Sequence, residues 1–183
     1  MIINYLKNII SYCLITDKIL NRMKKLLIIG LLALSTSAFS QGVVKNGTIY
    51  KQHPYITAVL QLNTLFARGD TVAVARFYAD TARFIDATNP MKPSNLAQAK
   101  ATWHDILTNW DIVSMKQIGY PDGLEYTSSP FTVQSWWEVT TVNKKTQKKV
   151  TFEEVVFDSF NKAGKITSEL SYYDTLALVG ATK

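Results

Sequence analysis

The spacing of the apolar residues changes near Asp111, and this change constrains the fold more than any other feature of the chain. Before Asp111, apolar residues recur every three or four positions, which is typical of amphipathic helices. After Asp111, apolar and polar residues alternate, which is typical of strands with one buried face. Turn residues divide this second part into strand candidates at 111–118, 122–127, 131–142, 149–160 and 165–174. Helices followed by a run of strands predict an α+β domain with an antiparallel sheet.

Three helices and one early strand are predicted before the change of spacing. Pro54 suits the first position of the first helix, and Gly69 suits a left-handed exit from it. A short second helix is predicted over 72–78 and a strand over 82–87. The third helix is predicted to be capped by Ser94.

The segment 23–40 has the three parts of a secretory signal peptide. Two lysines follow Met23, a mostly apolar stretch covers 26–34, and small residues precede Gln41. The pattern predicts export, with cleavage near Ser40/Gln41 and a mature protein that is periplasmic or secreted. The apolar stretch is too short for a permanent membrane span, so none is expected.

Residues 1–22 precede this pattern and have two interpretations. Either the translation start is set too early at Met1, or these residues are an unusually long basic region of the signal peptide. After the predicted cleavage site, residues 41–52 form a polar lead-in. Residues 53–178 are predicted to form a single domain.

Most of the net positive charge of the chain lies in residues 1–40. The whole chain carries a net charge of +6, but residues from 41 onward carry 15 basic and 13 acidic side chains, which leaves only +2. A near-neutral domain has no broad surface for nucleic acid. One cysteine and two histidines offer little for a disulfide framework or a metal site, and no Gly-rich phosphate loop occurs. No cofactor and no metal site are therefore predicted.

Acidic residues within the predicted strands are the main candidates for chemistry. Asp86 shares a strand face with Phe84, and a carboxyl group that faces an apolar interior gains basicity through desolvation. The alternative is that Asp86 only ends its strand by bonding loop amides. Glu138, Glu154 and Asp158 have the same ambiguity, because alternation places half of the acids of a strand on its outer face.

Four short segments occur in order and at suitable spacing: Phe66–Asp70, Phe77–Asp86, Phe160–Ile166 and Tyr172–Asp174. Together they resemble the NTF2-like superfamily, in its SnoaL-like and ketosteroid-isomerase-like branches, over about residues 53–174. The resemblance implies a cone-shaped, curved antiparallel sheet wrapped around the three N-terminal helices, with a pocket at the wide end. It also implies a homodimer, the common state of such proteins.

The resemblance also implies a site. Asp86 stands where the isomerase branch has its general-base aspartate, while Leu62 and Val156 stand where it has the tyrosine and the protonated aspartate of its oxyanion hole. Trp103 stands at an aromatic pocket wall, and Ser171 stands where SnoaL-type relatives often have an acid. The residues predicted to line the pocket are Leu62, Tyr78, Trp103, Val156 and Ser171.

Three functions are consistent with these residues. The first is an exported domain that binds a small, largely apolar molecule in its pocket. The second is a small-molecule isomerase, lyase or hydrolase that uses Asp86 as general base, although the electrophilic partners of the isomerase branch are replaced by apolar residues. The third is a subunit-association module, which a pocket filled by side chains would favour.

Overall fold

The computed structural model describes residues 45–86 and 92–182, together with Arg22 and Lys24. Between residues 45 and 182, one mixed sheet and the helices that pack on it form a compact unit. The helices are α1 (Pro54–Ala67), α2 (Thr71–Ala75), α3 (Leu96–Asn109) and α4 (Thr175–Ala181). The strands are β1 (Gly47–Tyr50), β2 (Tyr78–Asp86), β3 (Ser94–Asn95), β4 (Trp110–Gln117), β5 (Asp122–Tyr126), β6 (Phe131–Asn143), β7 (Lys149–Phe160) and β8 (Ile166–Tyr173).

The strand order along the sheet is β1-β5-β6-β7-β8-β2-β3, and β4 also pairs with β6. Register shifts interrupt the pairing of β4 with β6 and of β7 with β8. Such bulges bend a strand and increase its twist, so they curve the sheet. The predicted α+β class with a curved sheet over few helices is confirmed.

One prediction about the sheet is wrong, because β2 and β8 run parallel. The other strand pairs are antiparallel, as predicted. A parallel pair needs a long connection between its strands, and here nearly the whole second half of the domain connects β2 to β8.

The helices begin and end for identifiable reasons. Pro54 occupies the first turn of α1, and the side chain of His53 accepts a hydrogen bond from the backbone N–H of Tyr55 at 3.2 Å. Gly69, with a φ of 77°, ends α1 as predicted. Asn95 and Gln98 form a capping box at the start of α3, so Asn95 is the cap instead of the predicted Ser94.

The second predicted helix is shorter than its sequence pattern indicates. It ends at Ala75, and Tyr78 already belongs to β2. The backbone of Phe77 accepts a hydrogen bond from Ile166, and Tyr78 pairs with Ile166 in the sheet. Pairing with β8, which is distant in the sequence, therefore overrides the local helical pattern.

Each end of the domain contains a secondary-structure element that was not predicted. Within the segment predicted as a polar lead-in, β1 pairs with β5. After the last predicted strand, Asp174 caps α4, whose final residue Ala181 is buried. The predicted segments 1–22 and 23–40 lie outside the described residues except for Arg22 and Lys24. No helix among the described residues is long and apolar enough to cross a bilayer.

The core lies between the concave face of the sheet and the helices. Its buried residues include Val59 on α1, Val74 on α2, and Val133 and Ile166 on the sheet. Trp137 points to this face and is 4% exposed, whereas Trp136 points to the outer face and is only partly buried. The core side chains therefore fill part of the space between the sheet and the helices, and a cavity occupies the rest.

Candidate functional site

A cavity of about 360 Å³ lies between the helices and the concave face of the sheet. Leu62 and Phe66 of α1 and Trp103 of α3 form part of its apolar lining. The strands β2, β7 and β8 contribute its carboxyl groups. The cavity is therefore apolar on the helical side and acidic on the side of the sheet.

All six residues predicted for the site line this cavity: Asp86, Leu62, Tyr78, Trp103, Val156 and Ser171. Three of them form a row across the sheet, because Ser171 of β8 pairs with Val156 of β7 on one side and with Asp86 of β2 on the other. Leu62 and Trp103 are 6% and 8% exposed and lie on the opposite, helical wall. Their role in binding or catalysis stays a prediction.

Asp86 has a hydrogen-bond donor in the cavity that sequence reasoning missed. The hydroxyl group of Tyr173 donates to Oδ2 of Asp86 at 2.7 Å. Burial raises the pKa of Tyr173, and the hydrogen bond to Asp86 raises it further. Tyr173 therefore holds its proton and orients the Asp86 carboxyl group.

Three further acids lie on the same face of the sheet as Val156 and Ser171. Glu154 and Asp158 flank Val156 along β7, and Asp158 lies directly opposite Glu169 of β8. Asp158 is 1% exposed. We call Glu154, Asp158 and Glu169 the acidic floor of the cavity.

The acidic floor favours protonated carboxyl groups. Burial raises the pKa of Glu154 to about 8, and the charges of Glu169 and Asp86 add to the effect. Burial, followed by the charges of Glu169 and Glu154, also raises the pKa of Asp158 well above its usual range. Burial raises the pKa of Glu169, although the hydroxyl group of Tyr78 partly offsets this by hydrogen bonding to it. Near neutral pH, this floor therefore holds protons that it can donate or release.

Three aromatic rings stand beside the acidic floor. The ring of Phe84 lies 4.8 Å from that of Tyr78 and 5.7 Å from that of Trp103, and the rings of Tyr78 and Trp103 are 5.6 Å apart. Phe84 pairs with Glu169 in the sheet, and Tyr78 donates its hydroxyl hydrogen bond to Glu169. We call Tyr78, Phe84 and Trp103 the aromatic wall. It adjoins the acidic floor at Glu169.

The comparisons with known proteins connect this geometry to a fold. No family model and no curated protein matches the chain. Solved structures do match, at sequence identities that carry information on the fold alone. A candidate isomerase from Bacillus subtilis superposes with a TM-score of 0.59 at 14% identity, covering 69% of this chain and 90% of that one.

Two other solved structures agree with the first. A candidate polyketide cyclase from Xanthomonas campestris pv. campestris has a TM-score of 0.55 at 15% identity, covering 70% of this chain and 97% of that one. An NTF2-like protein from Burkholderia xenovorans LB400 has a TM-score of 0.52 at 18% identity, covering 73% of this chain and all of that one. The domain has the NTF2-like fold. The fold implied by the resemblance to the NTF2-like superfamily is therefore confirmed.

Within this NTF2-like domain, the acids of β7 could have been placed from the sequence. Glu154, Val156 and Asp158 are two residues apart, so the predicted pocket position of Val156 already implied both acids. The same spacing applies on β8, because Glu169 and Tyr173 are each two residues from Ser171, so the predicted pocket position of Ser171 already implied both. Glu138 lies on the opposite face, where it pairs with Glu153.

The acids of the NTF2-like domain are not arranged as metal ligands. Among the described residues, no group of three or more His, Cys, Asp or Glu side chains is placed to hold a metal ion. The carboxyl groups instead line a partly apolar cavity in which Oδ1 of Asp158 and Oγ1 of Thr141 are buried without a hydrogen-bond partner among the described residues. This arrangement suits an organic ligand that bears a polar group.

Proposed function

We propose that this chain is exported and that its NTF2-like domain binds a small, largely apolar molecule in the cavity. The observation that carries the binding proposal is the cavity itself, about 360 Å³ in volume and lined by the apolar side chains of Leu62, Trp103 and Val156. A volume of this order suits a small organic ligand. The neighbours described as a candidate isomerase and a candidate polyketide cyclase are compatible with this class of ligand.

The export proposal rests on the segment 23–40. Its two lysines, its apolar stretch and the small residues before Gln41 support removal of this segment during secretion. The mature chain then begins at Gln41 and is periplasmic or secreted.

A homodimer is proposed from the outer face of the sheet. Trp136 pairs with Val155, which pairs in turn with Tyr172, and Phe157 pairs with Leu170 beside them. These apolar side chains are only partly buried, and Tyr172 is 48% exposed. A second copy of the chain that covers this face would remove the apolar surface from water.

Mass spectrometry of protein purified from its native host tests these proposals together. We expect an intact mass that begins at Gln41, a native mass of two chains, and an adduct of defined mass that is released on denaturation. Retention of residues 23–40 would contradict export, and a monomer mass would contradict the dimer. A spectrum without an adduct at any cone voltage would count against binding.

A second candidate function is an acid–base enzyme that uses Asp86. The observation that favours it is the hydrogen bond from Tyr173, which orients the Asp86 carboxyl group towards the cavity beside Ser171. A general base needs such a fixed position within reach of the substrate. The third interpretation, a subunit-association module, would need a filled pocket, and the open volume of about 360 Å³ gives it no support.

Turnover of a 3-ketosteroid by the wild type and by Asp86→Asn distinguishes a binding function from a catalytic one. Leu62 and Val156 are apolar at the positions where the isomerase branch has its oxyanion donors, and each lost donor costs about 10²–10³-fold in rate. We therefore expect no appreciable isomerisation by the wild type and a changed ligand affinity in Asp86→Asn. Robust turnover that the substitution abolishes would establish the enzyme instead.

A further inference from the structure

The cavity contains an uneven distribution of charge. Its described lining includes four carboxyl groups, the acidic floor and Asp86, and a single cationic side chain, Lys92. Directly opposite residues such as Asp158 and Glu169 have Cβ atoms about 4.5–5.5 Å apart in an antiparallel pair. Several ionised carboxyl groups at such distances repel one another strongly when they are shielded from water. Among the described lining residues, the one cation, Lys92, lies before β3 and not on β7 or β8, so the floor carboxyl groups limit this repulsion by holding protons.

Asp158 has one side-chain oxygen without a partner among the described residues. Its Oδ1 atom is buried and accepts no hydrogen bond from the described residues, although the side chain lines the cavity. On β6, the buried hydroxyl oxygen of Thr141, which also lines the cavity, lacks a hydrogen-bond partner as well. Buried polar atoms are nearly always paired in folded proteins, so these two atoms indicate a bound molecule that supplies the missing contacts.

The aromatic wall gives this missing partner a chemical character. The faces of aromatic rings attract cations, and an ammonium group that contacts one ring beside a carboxylate is held by both interactions. Tyr78, Phe84 and Trp103 lie within 6 Å of one another, and two of them contact or pair with Glu169. A neutral ligand would contact the rings alone, whereas a cation would also be attracted by each floor carboxyl group that gives up its proton.

We propose that the natural ligand of this cavity is an organic cation, with its ammonium group between the acidic floor and the aromatic wall. Its apolar body extends along Leu62, Val139 and Phe152, which line the same cavity. This inference rests on the proposed binding function and specifies the class of ligand. Binding of the cation replaces protons on the floor, so each bound ligand releases protons to the solvent.

The charged and titratable groups around the floor set the expected pH dependence. Asp86 and Tyr78 face it from β2, Tyr173 from β8, and Lys92 from the segment before β3. Since the pKa of Glu154 is about 8, the floor gains negative charge as the pH rises from 6 to 9. A ligand whose ammonium group stays positively charged should therefore bind more tightly as the pH rises across this range.

The test uses two probes of nearly the same shape, the 3-phenylpropylammonium ion, whose N–H groups can donate to the unpaired oxygens of the floor, and its neutral analogue 3-phenylpropan-1-ol. Binding of each to the full domain is measured by isothermal titration calorimetry at pH 6.0, 7.5 and 9.0. We expect the cation to bind at least tenfold more tightly than the neutral probe at pH 9.0, and its affinity to fall at least tenfold at pH 6.0. Neutral-probe affinity should not change with pH.

Two variants of the floor, Asp158→Asn and Glu169→Gln, should each reduce the preference for the cation at least fivefold. Both keep the shape of the side chain and remove its charge, and thermal melting establishes that they fold. Glu153→Gln is the matched control, because Glu153 neighbours Glu154 on β7 but is exposed on the outer face. Its preference should equal that of the wild type.

The possible outcomes distinguish the proposal of a cationic ligand from the broader proposal that the cavity binds a small molecule. Equal affinities for the two probes at every pH would overturn the cation and would leave a small-molecule cavity in place. Failure of both probes to bind would overturn the proposal of a cationic ligand and would also count against the proposed binding function. A cation preference that Glu153→Gln removes as fully as Asp158→Asn would place the binding site outside the cavity and would overturn the inference.

Discussion

Glu154 is the side chain whose protonation should be easiest to detect in the stability of the protein. Burial raises its pKa from 4.5 to about 8, so between these values the folded chain binds more protons at this position than the unfolded chain does. The resulting stabilisation is complete below about pH 4.5 and is lost as the pH rises through 8. Asp158 and Glu169 act in the same direction, because burial raises the pKa of each.

We therefore predict that the free energy of unfolding decreases between pH 5 and pH 9. Glu154 alone should account for about 3–5 kcal/mol of this decrease, since each pKa unit corresponds to about 1.4 kcal/mol. In Glu154→Gln the decrease should be smaller by that amount, and at pH 9 the variant should be more stable than the wild type. Urea denaturation at pH 5, 7 and 9 measures this.

Glu153→Gln is the control for this prediction, because it removes an exposed carboxyl group from the same strand. Its stability profile should follow that of the wild type. If the wild type gains stability from pH 5 to pH 9, or if Glu154→Gln leaves the profile unchanged, Glu154 does not titrate as a buried acid.

At the scale of single residues, sequence reasoning placed side chains well only where their strand face was known. The pocket position of Val156 follows from the resemblance. Because side chains alternate along β7, Glu154 and Asp158 face the same side as Val156. The face of β7 is otherwise ambiguous, because its outer face also carries the apolar residues Val155 and Phe157. Which acids share the cavity becomes decidable only with the register between strands.

At the scale of elements, the predicted strands over 111–174 differ from β4 to β8 by at most one residue at each end. Alternating apolar residues and intervening turn residues determine these boundaries locally. Gly164, with a φ of 75°, lies in the turn that precedes β8, where few other residues are tolerated. The boundary between α2 and β2 could not be predicted in this way, because it depends on pairing with Ile166.

The parallel pairing of β2 with β8 could not be predicted for the same reason. Nothing within Tyr78–Asp86 specifies the direction of its partner, and the partner β8 follows about eighty residues later in the chain. The strand β1 is short and mostly exposed, so its sequence lacks the alternation that marks the other strands. Elements stabilised by distant contacts are therefore those that local patterns miss.

At the scale of the whole molecule, the NTF2-like fold supplies a cavity but does not specify a reaction. The chemistry of this cavity comes from its own residues, which combine apolar helices with the acidic floor and the aromatic wall. Leu62 and Val156 are apolar at the positions that the resemblance assigns to the oxyanion donors, whereas protonatable carboxyl groups lie elsewhere on the sheet. The cavity therefore suits a ligand that has both an apolar and a polar part.

A variant that fills the cavity shows whether a small molecule occupies it. Val156 is 7% exposed and lies in the middle of the cavity floor, so Val156→Phe should exclude the ligand. Val72→Phe is the matched control, because Val72 is 71% exposed on α2 and does not line the cavity. Native mass spectrometry compares the wild type and both variants, each produced in the native host and verified by thermal melting.

We expect the same ligand adduct on the wild type and on Val72→Phe, and at least a tenfold smaller adduct fraction on Val156→Phe. An adduct that is equally abundant on all three proteins would show that the molecule binds outside the cavity and would overturn the proposed function.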